Sequence, residues 1–169
     1  MEASPPFRIV AATPEDVGQI VGMIEALADY EKLRHLCTAT EAGVHAALFG
    51  ARPAAEVILG WEGPTPIAFA LFFHNFSTFL GRKGLYLEDL FVQPAFRRRG
   101  YGRALLVHLA RIAVARDCGR FEWAVLDWNA PAIGFYKSLG ATVMPDWRIS
   151  RVTGASLERL AAQPLFGAG

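Results

Sequence analysis

An α/β sandwich built on a mixed sheet is the fold this sequence predicts, and three observations predict it. Apolar runs of strand length alternate along the chain with segments of helical periodicity. Glycine- and proline-bearing turns such as Gly63-Pro64-Thr65-Pro66 punctuate them. The chain has 169 residues, 53% hydrophobic and 20% charged, enough to bury a real core and too apolar for disorder. No internal repeat or linker divides it, so one domain over residues 1–169 is expected, with its core at about 7–152.

The elements follow in order. Phe7 to Ala11 reads as an opening strand. Thr13-Pro14-Glu15-Asp16 is a helix start, with a hydroxyl cap, a proline at the first position and acids at the positive end of the dipole. Val17, Ile20, Val21, Ile24 and Leu27 then recur at helical spacing, ending near Tyr30. Thr40 caps a second helix through Val44, Ala47 and Leu48, stopped by Gly50. Glu56 to Trp61 and Ile67 to Phe73 are apolar strands, and Leu85 to Val92 is the next. Gly102 to Arg116 is a helix with a stripe of Leu105, Leu106, Leu109, Ile112 and Ala113. Phe121 to Leu126 reads as a buried strand and Pro131 to Leu139 as a short helix stopped by Gly140. Val143 and Trp147 to Val152 are expected to supply the last strands. Ser156 to Ala162 is a terminal helix, and Gln163 to Gly169 a frayed tail.

Composition sets limits on function. A net charge of +1 argues against a general nucleic-acid or membrane binder. The apolar runs are broken too often to span a bilayer. The start, Met1-Glu2-Ala3-Ser4-Pro5-Pro6, lacks the basic and apolar regions of a secretory signal. Cys37 and Cys118 have no metal-ligand spacing, so reduced thiols in a cytoplasm and no bound metal are expected.

Three features carry chemistry. In Arg97-Arg98-Arg99-Gly100-Tyr101-Gly102, two glycines let the backbone curl closely, and the helix that follows offers unpaired N–H groups and a positive dipole end. The arginines add charge-assisted contacts to a phosphate. A solvated basic turn is the bland alternative; a nucleic-acid patch lacks the surrounding basic surface it needs. Next, Glu88 and Asp89 interrupt an apolar strand, which is costly unless they are partnered or functional. Successive strand residues point to opposite faces unless a bulge re-aims one. One acid suits a general base and the other an anchor for a cation; ion pairs with nearby arginines are the structural alternative. Finally, Tyr136 sits on the Pro131–Leu139 helix, where Ile133, Phe135 and Leu139 can supply the packing and leave its phenol as a proton donor. An ordinary interface role competes with that reading. Asn129 is placed to cap this helix. An extended backbone, a phosphate-binding helix start and a hydroxyl donor are what an enzyme needs to use an acyl thioester of coenzyme A.

Together these residues resemble the GNAT superfamily of N-acetyltransferases, whose Arg/Gln-x-x-Gly-x-Gly/Ala signature is matched by residues 97–102. Tyr86-Leu87-Glu88-Asp89, Ala124-Val125-Leu126-Asp127-Trp128-Asn129, Tyr136-Lys137 with Leu139-Gly140-Ala141, and Tyr30-Glu31-Lys32-Leu33 are similar to its diamine (spermidine/spermine) acetyltransferase group. The Glu31-Lys32-Leu33 and Leu126-Asp127-Trp128-Asn129 runs look like its thialysine-acetylating branch. The likeness covers roughly Phe7 to Val152.

The resemblance implies a three-layer α/β sandwich whose mixed, mostly antiparallel sheet is splayed at the acetyl-CoA site. Pantetheine would pair with the backbone of Leu90, Phe91 and Val92. The pyrophosphate would sit on the turn, Arg97 to Arg103 (Arg97, Arg98, Arg99, Gly100, Tyr101, Gly102 and Arg103), supplemented by Asn129 and Lys137. Tyr136 would be the general acid and Glu88 the base, acting through water. Tyr30, Glu31, Asp89 and Trp147 would shape the amine pocket. Acetyl-CoA as cosubstrate, a small-molecule amine and a homodimer are the implied partners.

Elementary chemistry asks for a base here. An alkyl amine with a pKa near 10.4 must lose a proton before attack, at a cost of about 4–5 kcal/mol at neutral pH. A carboxylate takes that proton, a backbone N–H at Leu90 is available for the oxyanion, and a phenol returns a proton to the thiolate. No covalent enzyme intermediate is needed.

The chain also departs from the pattern. Lys32-Leu33-Arg34-His35-Leu36 is less acidic than a polycation pocket requires, which favours a short amino-acid-like amine over spermidine or spermine. Arg34 either faces a substrate carboxylate or lies solvated at a helix end. Asp146 before Trp147 replaces a Glu-Gly pair. Two other functions fit the same residues: acetylation of a protein, peptide or aminoglycoside amine, and a non-catalytic acyl-CoA sensor.

Overall fold

The structure is a computed structural model that describes residues 6–165. Residues 1–5 and 166–169 lie outside the described residues, and with them most of the opening segment and the end of the tail discussed above. The chain forms two compact units, one ending at Ala124 and the other beginning at Val125.

The first unit is a five-stranded sheet in the order β1-β2-β3-β4-β5. Its strands are β1 (Phe7–Ala11), β2 (Glu56–Glu62), β3 (Thr65–Ser77), β4 (Arg82–Val92) and β5 (Phe121–Trp123). The first four pair antiparallel, and β5 pairs parallel with β4. A parallel neighbour requires a crossover, and the helix α3 (Tyr101–Ala115) supplies it.

Local sequence explains the helices. Before α1 (Val17–Tyr30), the Asp16 carboxylate accepts from the Thr13 N–H at 2.7 Å and from the Thr13 hydroxyl at 2.9 Å, the reach-back half of a capping box. At α2 (Glu41–Phe49), the Thr40 hydroxyl accepts from the Gly43 N–H at 3.1 Å. Ile20, Met23 and Leu27 of α1 and Leu48 of α2 pack with Val57, Leu59, Phe69 and Phe91 of the sheet. The opposite face meets α3, whose Leu105 and Leu109 are fully buried. Helices on one face, the sheet and a helix on the other make the expected three layers. Each fully buried Leu, Ile or Phe contributes roughly 1.5–3 kcal/mol, so this sandwich outweighs any single polar contact in it.

The second unit holds α4 (Ala130–Ser138) and α5 (Gly154–Ala161). Asn129 caps α4, its side-chain oxygen accepting from the Ala132 N–H at 3.4 Å. The expected strands at Val143 and Trp147–Val152 do not form, and β5 stops at Trp123 instead of reaching Leu126. The apolar alternation is present, but Val143, Trp147, Ile149 and Val152 are all exposed. A strand exists only where a neighbouring backbone completes its hydrogen bonds, and no ladder involves residues 141–153 among the described residues.

Candidate active site

The site begins with a break in the β3–β4 ladder. Leu71 pairs with Asp89 and Phe72 with Leu87, so Glu88 is an extra residue between consecutive partners. In a regular strand Asp89 and Leu87, two apart, would share a face. The bulge separates them. Asp89 goes with Leu71 to the α1 face, while Leu87 goes with Phe72 to the face that α3 covers, where Arg116 lies over the Phe72 ring. Two successive acids thereby enter a core strand without driving an apolar residue into water.

The same point is where the sheet opens. The β4–β5 ladder runs through Leu85↔Phe121, Tyr86↔Glu122 and Leu87↔Trp123 and then stops. β4 continues to Val92 with no strand on that side among the described residues. Leu90, Phe91 and Val92 lie on this free stretch.

Around the bulge the charge is negative. Burial, followed by the charges of Glu88 and Glu31, pushes the Asp89 carboxyl up to about 6. Burial also raises Glu31. Glu88 itself is exposed. Neither Glu88 nor Asp89 has an ion-pair partner among the described residues, which removes the structural alternative raised for them. The chain leaves α1 through Lys32, whose φ of 61° turns it sharply after Tyr30 and Glu31. Arg34 lies 2.9 Å from Glu25 and 3.8 Å from Asp29, half-exposed, so its charge is paired with carboxylates of α1.

The Arg97–Gly102 turn divides its cations between two tasks. Arg97 donates from Nε to the Val92 carbonyl at 2.9 Å, with its guanidinium 4.5 Å from the Tyr30 ring centre. Arg99 pairs with Glu62 at 3.1 Å, and the Tyr101 hydroxyl donates to the same carboxylate at 2.9 Å. Arg98 and Arg103 are exposed with no ion pair among the described residues. The backbone turns left-handed at Arg98 (φ 64°) and at Gly100 (φ 83°). The first intrahelical bond of α3 is Ala104 N–H to Gly100 C=O, so the N–H groups of Tyr101, Gly102 and Arg103 precede the ladder. A side chain on Gly102 would come 3.8 Å from Leu90 and 3.9 Å from Val92, so this helix start abuts the free stretch of β4. Open amides and two cations without an ion pair among the described residues, beside the free end of β4, are a chemistry suited to an anion.

The structure therefore brings Tyr30, Glu31, Glu88, Asp89, Leu90–Val92 and Arg97–Arg103 together in the first unit. Asn129, Tyr136, Lys137 and Trp147 belong to the second. There Tyr136 is half-buried, its ring 5.5 Å from that of Phe135, while Lys137 and Trp147 are exposed. Sequence reading missed Glu62 and Phe7. They come beside the turn only through strand register, Phe7↔Glu62, which no local sequence signal announces. Among the described residues no group of three His, Cys, Asp or Glu side chains gathers at metal-ligand spacing. No described helix is long and apolar enough to cross a membrane.

Comparison with known proteins identifies the family. Residues 38–141 match the model of the acetyltransferase (GNAT) family. An L-ornithine N5-acetyltransferase of Arabidopsis thaliana is 35% identical, over 90% of this chain and 87% of that protein. A thialysine N-epsilon-acetyltransferase of Mus musculus is also 35% identical, over 92% of this chain and 98% of its own length. An integron cassette protein of V. cholerae superposes with a TM-score of 0.79 at 28% identity, covering 93% of this chain and 98% of that one. The chain belongs to the GNAT family and is an N-acetyltransferase.

Proposed function

We propose that this enzyme moves the acetyl group of acetyl-CoA to a primary amine of a small diamine or amino-acid-like substrate, by direct attack in a ternary complex. The observation that carries the reading is the pairing of a free β4 edge with a cluster of acids at its bulge that has no ion-pair partner among the described residues. The edge and the anion seat suit pantetheine and pyrophosphate, while Glu31, Glu88 and Asp89 suit an ammonium group. Relatives that acetylate thialysine and ornithine have amines of this size.

In this reading Leu90, Phe91 and Val92 pair with pantetheine, and the Leu90 N–H receives the oxyanion. Arg98, Arg103 and the amides of residues 101–103 hold the phosphates, with Asn129 and Lys137 supplementing them. Arg97, Arg99, Gly100 and Tyr101 shape the turn. Glu88 takes the ammonium proton through water, the neutral nitrogen attacks the thioester carbonyl, and the tetrahedral intermediate expels the thiolate. Tyr136 protonates that thiolate. Tyr30, Glu31, Asp89 and Trp147 form the acceptor pocket. Asp89 competes with Glu88 for the role of base on one observation: its carboxyl, at about 6, lies nearer neutrality, where a base is most effective. Residues 1–169 act in this proposal as a single catalytic domain, in a homodimer, in the cytoplasm.

A thiol-release assay with acetyl-CoA across thialysine, ornithine, lysine, putrescine, spermidine, spermine, a lysine-bearing peptide and an aminoglycoside tests the reading. Turnover is expected with the amino-acid-like amines ahead of spermine. No thiol release with any of them would point to the acyl-CoA sensor. Release only with peptide or aminoglycoside acceptors would overturn the substrate class.

A further inference from the structure

We infer that Glu62 is a positioning residue for the donor site, holding the Arg97–Gly102 turn in its anion-receiving shape from behind; this rests on the acetyl-CoA reading of that turn. Glu62 closes β2, and only 9% of its side chain is exposed. A carboxylate so covered is costly unless paired and hydrogen-bonded. Its partners among the described residues are two residues of the turn: Arg99 through Nη1, at 3.1 Å and 3.3 Å to the two oxygens, and Tyr101 through its hydroxyl at 2.9 Å.

The bracket has a second arm. The Tyr101 ring stacks on Phe7 at 4.1 Å between centres and 12° between planes. Phe7 is the register partner of Glu62, and its ring lies over Gly60, where a Cβ would come within 2.8 Å of it. Arg99 also donates to the Ala95 carbonyl at 3.4 Å and lies over Phe96. Both neighbours of Gly100 are thus pinned to the sheet. Between Arg97 and Gly100 the backbone passes through a left-handed Arg98, a non-glycine conformation that persists only where its surroundings over-determine it.

Electrostatics sharpens the argument. A carboxylate close to a phosphate seat repels the ligand, so an effect of charge alone would weaken cofactor binding. Neutralising it would then free Arg99 to grip the anion and tighten binding. Positioning predicts the opposite sign. It also confines the effect to the phosphate end of the donor, because pantetheine is held by β4.

The test uses the full chain. Affinity for CoA is measured by calorimetry for the wild type, Glu62→Gln and Tyr101→Phe. The kcat/KM for S-acetyl-pantetheine, which lacks the pyrophosphate, is measured with thialysine as acceptor. Positioning predicts at least fivefold weaker CoA binding in Glu62→Gln and two- to threefold weaker binding in Tyr101→Phe. For Glu62→Gln the acetyl-pantetheine kcat/KM is expected to stay within twofold of wild type. Tyr101→Phe keeps the stack on Phe7 and stands as the reading if Glu62→Gln fails to fold. Unchanged or tighter CoA binding in the variants, or an equal loss with acetyl-pantetheine, would overturn the inference. A wild-type chain with no affinity for CoA would overturn the donor-site assignment beneath it.

Discussion

The Nε of Arg97 donates to the main-chain carbonyl of Val92 across 2.9 Å. The first residue of the glycine-bearing motif is therefore tied back to the strand that leads into it, and its charge serves the fold before it serves any ligand. Arg98, one residue on, is exposed and unpaired with any acid among the described residues. Neighbouring arginines in one motif thus have different fates.

That difference is measurable. Arg97→Ala removes a charge-assisted bond to a carbonyl and a contact with the Tyr30 ring, and is expected to destabilise the protein by about 1.5–3 kcal/mol. Arg98→Ala is expected to leave stability within about 0.5 kcal/mol, as at other surface sites, while weakening CoA binding five- to tenfold. Thermal melts and calorimetry on both variants check this. Equal stability losses would remove the distinction.

These examples show what was legible in the sequence. The sandwich, the order of the elements and the glycine turn were readable because each has a local cause: a cap, a period, a stop residue. The partners of the arginines were not readable, since three successive Arg residues look alike until strand register puts Glu62 beside the turn. The bulge was readable only as a condition. Successive strand residues such as Glu88 and Asp89 point to opposite faces unless a bulge re-aims one, and the β3–β4 register shows that bulge. The strands expected at Val143 and Trp147–Val152 failed for a complementary reason, because apolar alternation describes side chains and carries no information about a partner backbone.

Asp89 should make stability depend on pH in the less usual direction. Its carboxyl titrates near 6 when folded and near 3.8 in its ordinary state. The folded chain therefore holds the extra proton between those values, and this contribution to stability declines as pH rises from about 4 to about 6. Asp89→Asn removes the penalty. The variant is expected to be more stable than wild type by roughly 1–2 kcal/mol above pH 6 and to converge with it near pH 4. Its KM for the amine should rise at the same time. Chemical denaturation at pH 4, 6 and 8 checks the sign, and a variant less stable at pH 8 would show that the carboxylate is held by favourable contacts.

Gly60 tests the other arm of the bracket behind the turn. A methyl group there would sit 2.8 Å from the Phe7 ring. The ring would have to move, and Tyr101 stacks on it. Gly60→Ala is expected to cost about 1–3 kcal/mol by overpacking and to weaken CoA binding more than it alters kcat with saturating donor. A Phe7→Leu change made on top of Gly60→Ala should recover stability by relieving the clash, without recovering the affinity that the aromatic stack supplies. Full recovery of affinity in the double variant would show that the stack is dispensable.

The assignment of proton traffic rests on three side chains that separate cleanly in kinetics. Tyr136→Phe removes one oxygen. If the phenol protonates the thiolate, kcat falls by about 10²–10³-fold while CoA affinity stays within twofold of wild type. Glu88→Gln keeps the shape of the bulge and removes the base. A base that acts through water loses about 10²-fold in kcat, and the loss shrinks at high pH, where free amine becomes abundant. Asp89→Asn distinguishes the competing assignment. An anchor raises the KM of the amine and leaves the acid limb of kcat in place, whereas a base lowers kcat and abolishes a limb near 6, the value to which burial and its acidic neighbours raise Asp89. Thiol-release profiles from pH 5 to 10 on the three variants decide between the two carboxylates. Full activity in both carboxylate variants would mean that the amine loses its proton to solvent before it binds.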